Sequence, residues 1–205
     1  MPRPPSMFLK RLRQATSGRH RALECQLPLL DPRLSRASYH RIVSRFFGYY
    51  EPLEARLLAL PWWHEIGVDY AAERRKIPLL ESDLIALGET PEGLATLPRC
   101  AALPAVASIP QVLGCLYVIE GATLGGQLIS RHLQAHLGLT PVSGGAFFNG
   151  YGVQTGRRWQ AFGATLTALV QRTGGEDDII ASANDTFATI DEWLFPTSET
   201  RATHL

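Results

Sequence analysis

The chain has 205 residues, 45% of them hydrophobic and 19% charged, with Lys and Arg exceeding Asp and Glu by a net charge of only +1. That length suits one domain with a sizeable core, and the near-neutral balance excludes the electrostatic bias that nucleic-acid or anionic-membrane binding needs. The three cysteines, Cys25, Cys100 and Cys115, form neither a disulfide framework nor a zinc pattern, so reduced thiols in a cytoplasmic protein are expected.

The opening MPRPPSMF lacks an apolar run of signal-peptide length, and no window of about 18 apolar residues predicts a membrane span. Residues 1–6 read as a Pro-rich tail, 7–196 as one helical domain and 197–205 as a polar tail. The first helix is expected over 7–26, with Phe8, Leu12, Ala15, Leu23 and Leu27 on its buried side. Ser35 is placed to cap a long helix over 36–60, where Phe46, Phe47, Tyr49 and Tyr50 cluster and Pro52 predicts a kink. A short element, a helix over 77–87 stopped by Gly88, and a connector with four prolines over 89–110 follow. After a glycine-bearing helix and a Gly-rich loop over 138–152, Thr155 is read as the cap of a helix to 171, and the last helix runs over 176–194. No alternating strand pattern occurs, so the fold expected is all-α, a single-domain bundle of seven to eight helices.

The stretch over 111–136, QVLGCLYVIEGATLGGQLISRHLQAH, carries an internal conflict. Leu113, Leu116, Tyr117, Ile119 on the flank, Leu124, Leu128, Ile129 and Leu133 recur at helical spacing, which predicts a wide buried face. Yet Gly121, Gly125 and Gly126 sit at its centre, and each costs a helix about 1 kcal/mol relative to Ala. Gly121, Gly125 and Tyr117 share one face. Two readings compete: a neighbouring helix approaches closely there, or a flat ligand lies on bare backbone.

On the first helix, Arg13, His20 and Glu24 form a column at spacings of seven and four. They are either a solvated face or a metal-ligating His oriented by a carboxylate, with an Arg for an anionic group of the same ligand. Other chemistry is poorly supported. His132 and His136 lack the intervening Glu of HExxH, no GxSxG occurs, no pair of Glu-x-x-His motifs suggests a di-iron centre, and the Gly-rich loop lacks a phosphate-binding signature.

The segments LRQATSGRHRALE (12–24) and LYVIEGATLGGQLI (116–129) resemble the proximal and distal helices of the haem oxygenase family, in its bacterial branch. RRKIPLLESDLIALG (74–88) and FFNGYG (147–152) are also similar to bacterial members, and the likeness spans residues 8–195. The resemblance implies haem as both cofactor and substrate, with His20 as the iron ligand and Glu24 orienting it. It implies haem contacts from Arg13, Tyr117, Gly121, Gly125 and Gly126, a catalytic role for Gly121 and Gly125, and further propionate contacts from Arg157 or Arg158. The activity implied is oxidative opening of haem to biliverdin, with release of CO and ferrous iron, using O2 and electrons from a ferredoxin- or flavoprotein-type donor. A biliverdin-using photoreceptor is an implied consumer of the product. One departure is Ala122, where animal-type members carry an aspartate. The alternatives are a non-catalytic haem-binding or transfer protein on the same fold, and a helical protein without haem, such as a thiaminase-like hydrolase. His20 with Arg13 and the lack of a legible nucleophile argue against the last.

Overall fold

A computed structural model of the chain describes residues 6–196; the expectations for 1–5 and 197–205 fall outside the described residues. Among the described residues every regular element is helical. The elements are α1 (Met7–Gln26), α2 (Arg36–Leu58), α3 (Trp63–Ile66), α4 (Tyr70–Glu73), α5 (Ile77–Ala86), α6 (Pro91–Thr96), α7 (Ile109–Leu137), α8 (Ala146–Asn149), α9 (Thr155–Thr173) and α10 (Glu176–Leu194). A 3-10 turn, Gly152–Gln154, joins α8 to α9. The long helices are those that periodicity predicts. The short ones, α3, α4, α6 and α8, have four to six residues, too few for a helical period to register.

Side-chain caps set several boundaries. Ser35 caps α2 as its position predicts. Ser6, read as the last tail residue, instead caps α1 and meets the Thr167 hydroxyl at 3.0 Å. Ser108 caps α7, and Pro110 lies in its first turn, where a missing N–H costs nothing. Thr155 is not the cap of α9 but its first residue, and its hydroxyl accepts a bond from Gln127 of α7 at 3.2 Å. Pro52 is housed within α2. It has no N–H for the Gly48 carbonyl four residues back, and the Cys100 amide takes that acceptor at 2.9 Å.

The core is organised on α7. Helix α10 packs along it, α8 and α9 cover other parts of it, and α2 packs on α5. At Gly114 a Cβ would stand 2.5 Å from the Ile179 carbonyl oxygen, so glycine is what lets α7 and α10 approach so closely. Helix α1 leans on α10 and touches α9, whereas α1 and α7 share few contacts. Contrary to the expectation from apolar runs, α7 is long and apolar enough to cross a membrane, but 56% of its most apolar window is buried in the bundle, as in a core helix.

Three apolar side chains depart from the expected buried faces. Ala15 is exposed and Thr16 is buried in its place, because the stripe on α1 is the narrow one of Phe8, Leu12 and Thr16. Leu124 and Leu128 are 42% and 53% exposed, because they stand beside Gly125, where the face of α7 is open.

Asp83 of α5 is fully buried and accepts the first amides of α8, from Ala146 at 2.6 Å and Phe147 at 2.8 Å. Burial outweighs these two donors and pushes its carboxyl up to about 6. Because the folded value lies above the unfolded one, this group's contribution to stability is complete below about pH 4 and is lost as pH rises through about 6. Urea melts of the parent and of Asp83→Asn are therefore expected to diverge by roughly 2–3 kcal/mol between pH 4 and 7. Parallel pH profiles would contradict this.

Candidate functional site

One side of the candidate site is α1. His20 and Glu24 are both exposed, and Glu24 Oε2 lies 3.3 Å from His20 Nδ1, a placement that favours the proton on Nδ1 and leaves Nε2 a lone pair. The imidazole meets the ring of Phe187 of α10 edge-on at 5.8 Å. Arg13, on the same side of α1, is exposed as well. Tyr117 of α7 is half-buried, and burial pushes its phenol up, opposed by the nearby Thr16 hydroxyl and the charge of Arg13 on α1.

The other wall is α7, and its glycines divide into two kinds. At Gly125 a Cβ would meet nothing within 4 Å, and at Gly121 it would meet only the edge of Trp159, at 3.6 Å. With Leu124 and Leu128 these form an open apolar strip of bare backbone and exposed side chains. Gly126 faces elsewhere. Its Cβ position lies inside contact distance of the Phe148 carbonyl oxygen, so the α8 backbone, not a ligand, occupies that side. Close packing explains Gly114 and Gly126, and an open face remains at Gly121 and Gly125.

Arg157 is exposed in the first turn of α9. Arg158 is engaged, donating to the Glu73 carbonyl at 3.1 Å and lying 4.7 Å over the Tyr151 ring. His132 and His136 stack on each other at 3.9 Å, with His136 exposed, as a pair near the end of α7.

Sequence reasoning missed a buried ionic cluster at Glu120, the residue before Gly121. Glu120, 1% exposed, receives Arg74, Lys76 Nζ at 2.9 Å and the Tyr151 hydroxyl at 2.9 Å. Lys76 also donates its backbone amide to the buried Glu54. Burial pushes the Lys76 ammonium down and the Glu54 carboxyl up. One signal was available: Lys76 is one of only two lysines in the chain, and Glu120 interrupts an otherwise apolar run. The cluster ties the residue before Gly121 to the segment entering α5 and to the turn after α8.

An all-helical bundle whose histidine-bearing helix flanks a glycine-gapped central helix is a fold shared with known proteins. The "Heme oxygenase" family model matches residues 6–195. A protein named heme oxygenase from Xanthomonas campestris pv. campestris is 30% identical over 151 residues, 73% of this chain and 80% of that one. The NO- and CO-bound heme oxygenase from Neisseria meningitidis superposes with a TM-score of 0.71 over 94% of both chains, at 20% identity, a likeness of fold. The chain belongs to the haem oxygenase family.

Proposed function

We propose that this chain is a haem-degrading monooxygenase that opens haem to biliverdin, releasing CO and ferrous iron. The observation that carries the reading is the pairing of walls: an exposed His20 with a carboxylate at Nδ1, and a glycine strip open at Gly125. The residues present fit haem, because a flat apolar molecule with an acidic edge needs a neutral imidazole, a smooth apolar wall and cations at the mouth. Haem bound there brings iron at which O2 is reduced with electrons from an external ferredoxin- or flavoprotein-type donor.

The chain's own residues do the rest. His20 Nε2 ligates from the α1 side and Glu24 holds the imidazole's proton on Nδ1. Arg13 and Tyr117 take the acidic edge, and exposed Arg157 is a further cation for it. Gly121 and Gly125 let the backbone of α7 lie against the macrocycle. Their peptide groups hold water there in place of the acid that Ala122 lacks. The three free thiols support a reducing, cytoplasmic location, and a biliverdin-using photoreceptor is one consumer of the product.

The test is to mix the protein with one equivalent of hemin, add reductant in air and follow the visible spectrum. A Soret band that decays as biliverdin appears, with CO in the headspace, is expected. A stable Soret band without pigment would instead make the chain a haem carrier, and no Soret shift would remove haem from the reading.

The glycines supply a second test. Gly125→Ala is expected to keep or raise thermal stability by up to about 1 kcal/mol, since Ala favours helix and its methyl meets open space, while weakening hemin binding. Gly126→Ala is expected to cost about 1–3 kcal/mol by overpacking against α8. Equal melting temperatures for the two variants would contradict this division.

A further inference from the structure

Haem has four meso bridges, and which of them meets the glycine strip depends on how the macrocycle is rotated and shifted in its own plane. The strip is asymmetric in a way that bears on this. Its Gly125 end is open, whereas at its Gly121 end two carbons of the Trp159 indole lie 3.6 Å from where a Cβ would stand. Trp159 is half-buried, and its ring is braced by Tyr117 at 5.6 Å and by Phe162 at 6.0 Å. Phe162 is itself fully buried, with the Arg74 guanidinium 5.7 Å over its ring. The indole therefore stands on a rigid base, and a large aromatic edge at the rim of a flat slot is a stop against which a planar ligand seats.

We propose that Trp159 is the specificity-determining residue of this slot: it abuts the haem periphery at the Gly121 end and selects the meso bridge that is opened. The proposal rests on the haem-degrading reading above. It requires no movement of α9, because the indole already lies beside the strip. Removing the indole leaves the macrocycle free to shift along α7 toward the space it vacates, so more than one seating becomes accessible. A smaller aromatic ring retains part of the stop.

The experiment is proton NMR of the ferric hemin–cyanide complex, in which the haem-methyl shifts report in-plane seating, on the full chain and its Trp159→Phe and Trp159→Ala variants. The parent is expected to show one seating, with nuclear Overhauser contacts between the Trp159 indole and haem peripheral protons. Trp159→Ala is expected to show a second set of haem-methyl resonances, a hemin dissociation rate raised roughly tenfold, and a second biliverdin isomer on turnover; Trp159→Phe should fall between. Absent indole contacts, with unchanged seating and isomer in both variants, would overturn the proposal while leaving the functional reading intact. A parent chain that gives no shifted haem resonances would overturn both. If Trp159→Ala fails to fold, the indole contacts in the parent and the Phe variant decide the question.

Discussion

His20→Ala is expected to leave folding unchanged and to abolish biliverdin formation. The side chain is 51% exposed, and its protein contacts are Glu24 and the edge of Phe187. Its loss should thus shift stability by no more than about 0.5 kcal/mol. What it removes is the side chain proposed as the iron ligand on the α1 side. Free imidazole is small enough to enter the vacated volume, so added imidazole should restore part of the turnover. Glu24→Gln should retain ligation but lower hemin affinity or turnover by about 10–100-fold, because the imidazole loses the carboxylate that orients it. The checks are a single-turnover assay with and without imidazole, beside a thermal melt. Undiminished biliverdin from His20→Ala would remove this residue from the site.

The second large effect is expected at the buried ionic cluster. Glu120→Ala leaves Arg74 and Lys76, 5% and 2% exposed, buried without their shared anion. Breaking a buried ionic group in this way costs about 3–5 kcal/mol, a fall in melting temperature of roughly 6–20 °C at this chain length. Replacing the three charges together by apolar residues, as Arg74→Leu, Lys76→Met and Glu120→Leu, should recover most of that loss, since no charge is then stranded. Calorimetry of the single and triple variants checks this. A triple variant as unstable as Glu120→Ala would show that the cluster contributes through its geometry rather than its charge balance. Because Glu120 precedes Gly121, the same cluster ties the start of the open face of α7 to the segment entering α5.

How far the sequence announces these features depends on the range of the contacts involved. The long helices and the caps at Ser35 and Gly88 follow from local chemistry, namely spacing, hydroxyl acceptors and glycine. The Arg13, His20 and Glu24 column is likewise local to one helix. The glycine conflict in α7 was visible, but which glycine faces a helix and which faces open space was not. That choice is made by α8 and α10, whose backbones press on Gly126 and Gly114. Leu124 and Leu128 were misassigned for the same reason: periodicity marks an apolar face without saying what covers it. The cluster of Arg74, Lys76, Glu120 and Tyr151 spans three segments of the chain, and the position of Trp159 against Gly121 joins two more distant helices. Contacts of that kind leave only faint traces in composition, here the rarity of lysine and one acid in an apolar run.

The most direct test of a haem held between α1 and the glycine strip is resonance Raman spectroscopy of the ferrous hemin complex without added gas. A slot ligated by His20 gives a five-coordinate iron with an iron–histidine stretching band, which disappears in His20→Ala and returns with imidazole. The stacked pair His132 and His136 is the competing source of such a ligand. A band that survives in His20→Ala and is lost in His132→Ala or His136→Ala would place the iron elsewhere and contradict the site described above.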